Sequence, residues 1–138
     1  MRRDARAYLA DILECCDAID AALAGSSLGD YLVNRLVRSA VEREFTIIGE
    51  AVLALSHRSP ATFGAITGAR RIVDFRSRLT HEYPMVDDEL VWALAKQDMP
   101  VLRRECASLL VGLEADEPRI WRELRADSCP SQLERRTL

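Results

Sequence analysis

The sequence has a single lysine, Lys96, and only two histidines, His57 and His81, among its 138 residues. With histidine this scarce, and with no C-x-x-C pair among Cys15, Cys16, Cys106 and Cys129, no cluster has the spacing of zinc ligands. Cys15 and Cys16 are adjacent on a helical pattern and the other two stand in unrelated contexts. The thiols therefore read as reduced packing residues and not as a disulfide framework. Glycine (6) and proline (5) are too rare for a collagen-like or low-complexity chain. No apolar run approaches the roughly 18 to 20 residues that cross a bilayer. The N-terminal Met1-Arg2-Arg3-Asp4 leads into an amphipathic pattern and not into a signal-peptide core. A soluble, cytoplasmic protein with no membrane partner is expected.

What is present fits one compact domain: 49% of residues are hydrophobic, enough for a core without staples at this length. A net charge of −3 argues against bulk electrostatic capture of long nucleic acid by the whole surface. Local basic sites stay open, because nearly all the positive charge is arginine, the side chain suited to bidentate phosphate contacts.

The hydrophobic period is helical almost throughout. Leu9, Ile12, Leu13, Cys16, Ile19 and Leu23 predict a first helix over about residues 3–24, closed by Gly25-Ser26-Ser27. From Asp30, a plausible N-cap, Leu32, Val33, Leu36, Val37, Val41, Phe45, Ile48, Val52 and Leu55 predict one long second helix up to Ser59-Pro60, with Gly49 inside it allowing close packing. A short turn is expected around Ala61 to Ile66, then a third helix over about residues 69–81 that stops before Pro84. Asp87-Asp88-Glu89 opens a fourth, with Leu90, Val91, Leu94, Val101, Leu102, Leu109, Leu110 and Leu113 as apolar positions and a kink or split at Pro100. Ile120, Trp121 and Leu124 suggest one more short helix, and from Ser128 the chain reads as a loose tail. The expectation is an all-α bundle of four main helices. Residues 1–114 would form the domain, and 115–138 an extension that is partly helical and then flexible.

The segment with chemical content is Ile72-Val73-Asp74-Phe75-Arg76-Ser77-Arg78-Leu79-Thr80-His81-Glu82-Tyr83-Pro84. On a regular helix Ile72, Phe75, Leu79 and Tyr83 share one core-facing stripe, Arg76 flanks it, and His81 falls on nearly the opposite face. Two readings fit that outward direction. In one, His81 is an ordinary exposed histidine favoured by the helix C-terminal dipole, and Arg78 and Glu82 form a surface i,i+4 pair. In the other, Arg76, His81 and Tyr83 line a cleft whose second wall is another chain. Arginine with histidine is a sound pair for attack at phosphate: the imidazole moves a proton near neutral pH, and the guanidinium stabilises charge on the phosphoryl oxygens. Such a site needs no metal and no cofactor.

Arg76-x4-His81-x-Tyr83, followed by Val86-Asp87, resembles the motif of the HepT-like ribonuclease toxins of the HEPN superfamily. Ile47-Ile48-Gly49-Glu50-Ala51 and Asp98-Met99-Pro100-Val101-Leu102 resemble two further segments of that family, and the likeness covers roughly residues 5–113. It implies a HEPN-type four-helix up-and-down bundle with a short extra C-terminal helix, acting as a homodimer or a higher assembly of dimers whose motifs face one another across a cleft. It further implies metal-independent endoribonuclease cleavage of RNA, with His81 as general acid/base and Arg76 on the scissile phosphate. A minimal nucleotidyltransferase antitoxin is implied as partner, able to adenylylate Tyr83 and so place a bulky anion in the cleft. Ser77 departs from the Asn, Asp or His usual after the motif arginine. Its hydroxyl can hydrogen-bond but cannot act as a base at neutral pH, which leaves an alternative: a catalytically weak module that binds RNA, a nucleotide or a partner. A purely structural helical dimer is the third reading.

Other residues carry plainer expectations. Glu50 is read as a polar anchor from helix two to the motif helix or as a functional carboxylate. Arg35, Arg38 and Arg43 read as a solvated helical face, His57 as surface, and Trp92 and Trp121 as packing residues.

Overall fold

The computed structural model describes residues 3–81 and 86–126, and every regular element among them is helical. Asp4 caps α1 (Ala5–Leu23), its carboxylate accepting the Arg6 N–H at 2.8 Å. Then follow α2 (Leu28–Val33), α3 (Arg35–Arg58), α4 (Pro60–Gly64), α5 (Ala69–His81) and α6 (Asp88–Ala93). A π-helical turn, Leu94–Asp98, leads into α7 (Met99–Ala115), and α8 (Arg119–Ala126) follows Pro118. The four long helices carry the packing: α1 lies against α3 and α7, and α3 against α5. Leu9, Ile12, Cys16 and Ile19 of α1, Val41, Ile48, Val52 and Leu55 of α3, and Met99 and Cys106 of α7 form the centre of the core. No described helix is long and apolar enough to cross a membrane.

The expected single second helix is two helices. Ser27, not Asp30, is the N-cap of α2: the Ser27 hydroxyl accepts the Asp30 N–H at 3.1 Å, and the Asp30 carboxylate accepts the Ser27 N–H at 3.0 Å. Asn34 then breaks the run with an extended backbone, its side-chain oxygen accepting the Val37 N–H at 3.1 Å to start α3. An asparagine amide competes with the helical ladder in this way, and hydrophobic periodicity is blind to it. The break turns Val33 and Leu36, both expected on the apolar face, outward to 85% and 82% exposure. Arg38 is correspondingly not on a solvated face. It donates to the Leu32 carbonyl at 2.6 Å and lies 3.6 Å from Asp88, tying the α2–α3 corner to α6.

Pro100 does not split the fourth helix. The carbonyl four residues before it, on Lys96, has no N–H to receive there, and the chain widens into the π turn, where the Met99 N–H reaches back five residues to the Leu94 carbonyl. Leu90 and Val101, expected as apolar contacts on this helix, are exposed. Trp92 packs as expected, its ring 5.5 Å from that of the buried Tyr31. Trp121 does not: it is exposed on α8 together with Ile120 and Leu124. The tail from Ser128 lies outside the described residues.

Cys15, Cys16 and Cys106 are free and buried. Burial pushes the Cys16 and Cys106 thiols up to about 12, and raises Cys15 as well. Because the unfolded chain ionises its thiols near 8.5 while the folded chain holds these protons, folding stability falls as pH rises from about 8.5 toward 12. Denaturation midpoints measured across that window will decrease, and the three thiols will resist alkylation at pH 8 until the chain is unfolded.

Candidate active site

The helix with the arginine–histidine pair starts where Gly68 takes a positive φ of 67°, turning the chain out of the α4 connection. Its observed span, Ala69–His81, matches the expected one. Ile72, Phe75 and Leu79 pack against the core as expected. Ala69 and Val73 are the buried residues of α5, whereas Ile72, Phe75 and Leu79 are only half-buried. Ile72 and Phe75 line an apolar cavity of about 370 Å³ between α3, α5 and α7, where Phe75 meets Phe45 edge-on at 5.7 Å between ring centres.

Arg76 sits at a close approach of this helix pair. A Cβ placed on Gly49 would lie 2.2 Å from the Arg76 Cβ, 2.8 Å from its Cγ and 3.2 Å from its Cδ. The arginine stem therefore lies directly on the α3 backbone, in space that exists only because residue 49 is glycine. One residue on, Glu50 Oε1 is 3.7 Å from Arg76 Nη2, too long for a hydrogen bond but close enough for charge attraction. Of the two expectations for Glu50, the anchor to the motif helix corresponds to this contact. Among the described residues Arg76 Nε is buried and meets no hydrogen-bond partner, an unusual state for a guanidinium donor in a native fold.

His81 is the last residue of α5 and is exposed. It stands five positions after Arg76, which at 100° per residue turns it about 140° away around the axis. One chain thus brings Gly49, Glu50 and Arg76 together but does not bring His81 to them. Ser77 is exposed beside Arg76. Near the helix end the Thr80 hydroxyl donates to the Arg76 carbonyl at 2.9 Å and the Ser77 carbonyl at 3.1 Å, bracing the turn that precedes His81. Tyr83 and Glu82 lie outside the described residues. Arg35, Arg43 and His57 are exposed on α3. Among the described residues, no three His, Cys, Asp or Glu side chains converge as metal ligands would.

These features define an all-helical domain with an Arg-x4-His pair on a helix braced by Gly-Glu from its neighbour. The family described as "Ribonuclease HepT-like" matches residues 12–109, and the chain belongs to this HepT-like family. It is 30% identical over 104 residues to a Methanocaldococcus jannaschii protein named "Putative RNase MJ1380", covering 75% of this chain and 94% of that one. It is 31% identical over 106 residues to the "Probable ribonuclease HepT" of Thermococcus cleftensis, covering 75% and 93%. A second M. jannaschii protein, "Putative RNase MJ1216", is 28% identical over 116 residues, covering 84% and 95%. No solved structure matches the chain.

Proposed function

We propose that this protein is a metal-independent endoribonuclease, the toxin of a toxin–antitoxin pair, cutting RNA in a cleft between two copies of the chain. The observation that carries the reading is Arg76: its stem is fixed on Gly49, its guanidinium stands beside Glu50 at the edge of the surface, and an exposed histidine follows five residues later on the same helix. Membership of a ribonuclease family supplies the substrate class.

In the reaction the RNA 2′-hydroxyl attacks the adjacent phosphorus while the 5′-oxygen leaves, giving a 2′,3′-cyclic phosphate and a free 5′-hydroxyl. One proton leaves the attacking oxygen and one must reach the leaving oxygen. His81 takes the first, and the partner subunit's His81 supplies the second, so a two-fold cleft offers both a base and an acid. Arg76 donates to the phosphoryl oxygens as negative charge builds on them. Ser77, exposed at the same level, can contribute a hydrogen bond but no proton transfer at neutral pH.

The outer face of α3 supports a second chain. Leu36, Ala40, Arg43, Ile47 and Glu50 recur at steps of four and three along it; Leu36 is 82% exposed, and Glu50 leads straight to Arg76. A neighbouring copy on that seam would supply the wall that His81 lacks within its own chain. Control falls to a minimal nucleotidyltransferase antitoxin. It would transfer AMP from ATP to the Tyr83 hydroxyl, with pyrophosphate as the other product, and the added phosphate would repel RNA from the arginine.

The test is cleavage of single-stranded RNA by purified, antitoxin-free protein in EDTA. Cutting with cyclic-phosphate ends is expected, abolished when the 2′-hydroxyl at the scissile position is replaced by hydrogen. Cutting that persists in the 2′-deoxy substrate, or that requires added metal, contradicts the mechanism. RNA bound but left whole would favour the binding-module alternative that Ser77 allows. Mass spectrometry after co-expression with the nucleotidyltransferase should find one AMP on Tyr83.

A further inference from the structure

Arg76 is held at two places by consecutive residues of α3, and the two do different things. Gly49 fixes the stem by allowing it to lie on the helix backbone. Glu50 acts only on the head, from 3.7 Å, and at that distance it supplies charge without a hydrogen bond. The Glu50 carboxylate is 52% exposed and the Arg76 side chain 26%, so the pair sits at the edge of the surface where RNA would arrive. A carboxylate there opposes an incoming phosphate. Its presence beside the one arginine of the motif is unfavourable for ground-state binding and needs a compensating role.

We propose that Glu50 is a positioning residue: it restrains the Arg76 guanidinium in the orientation that meets the phosphoryl oxygens in the transition state, while weakening the affinity for bound RNA. The inference rests on the ribonuclease reading. Orientation of a group that acts in the transition state raises kcat, whereas a negative charge near the substrate phosphate raises KM, and the two effects are separable.

The measurement is steady-state cleavage of a short single-stranded RNA by the full-length wild type, Glu50→Gln and Glu50→Asp. Glu50→Gln removes the charge and is expected to lower kcat about tenfold to a hundredfold and to lower KM about fivefold. The KM difference should shrink as salt rises well above about 0.1 M. Glu50→Asp keeps the charge but loses one methylene of reach, so its KM should stay near wild type while kcat falls. A merely structural role would change the melting temperature or the active fraction and would not lower KM. The second readout needs no RNA: rotation about the Arg76 Nε–Cζ bond, followed by NMR exchange between its two Nη resonances and assigned by their loss in Arg76→Lys. Rotation several-fold faster in Glu50→Gln than in wild type is expected. An active wild type with unchanged kcat and KM in Glu50→Gln, or equal rotation rates, overturns the proposal. A wild type that does not cleave RNA overturns the ribonuclease reading instead, and the rotation rates then decide the positioning alone.

Discussion

Replacing Gly49 with alanine will destabilise the protein by about 2 to 3 kcal/mol, lowering the melting temperature by roughly 10 °C, although the same change inside most helices is stabilising. Alanine gains about 1 kcal/mol over glycine in a helix interior. At Gly49 that gain is outweighed, because the new methyl would stand 2.2 Å from the Arg76 Cβ and α5 would have to move off α3. The nearest atom is a Cβ, so Arg76→Ala does not relieve the clash; Arg76→Gly does. A double-mutant cycle should therefore show favourable coupling of Gly49→Ala with Arg76→Gly and a smaller one with Arg76→Ala, which removes only the Cγ and Cδ contacts. Gly112 supplies the opposite sign. It lies within α7 with nothing inside 4 Å of an added Cβ, so Gly112→Ala should stabilise by up to about 1 kcal/mol. Thermal melts of the four single variants and the two double variants separate these cases, and a neutral Gly49→Ala would contradict the packing described.

This contact shows where the sequence was readable and where it was not. The start of the third helix was legible, because Gly68 precedes a strongly periodic run. Gly49 was recognisable as a close approach, yet its partner could not be named. Periodicity pointed to Ile72, Phe75 and Leu79 as the core-facing stripe, and they pack against the core, while the contact at Gly49 is made by the stem of Arg76. A hydropathy pattern ranks a charged residue last for a packing role, even though an arginine stem buries well. Asn34 was hidden for a different reason: an apolar stripe continued past it, and the side-chain cap that ends α2 and starts α3 has no hydrophobic signature. The π turn was half-legible, since Pro100 announced a defect in the fourth helix but could not say whether the chain would kink, split or widen. The exposure of His81 followed from the helical wheel and is what the structure has.

The second large effect concerns activity. His81→Ala should lower cleavage by about a hundredfold to ten-thousandfold, the usual contribution of general acid–base catalysis, with almost no change in stability because the side chain is exposed. Arg76→Ala should lower it by about a hundredfold to a thousandfold. It should also cost about 1 to 2 kcal/mol of stability, since its stem is packed against α3 and Glu50 loses its counter-charge. Arg76→Lys restores the charge but not the planar fork of donors, and should recover only part of the rate. The stability difference between the two alanine variants separates a chemical loss from a folding loss. His81→Ala is the cleaner test of chemistry, and Arg76→Ala of the link between the site and the helix packing.

The most direct test of the arginine–histidine site is the initial rate of single-stranded RNA cleavage in EDTA by wild type, His81→Ala and Arg76→Ala, each shown to be folded by its melting curve. The account predicts cleavage by the wild type and a loss of about a hundredfold or more in each variant. Cleavage at the wild-type rate by either variant would contradict it.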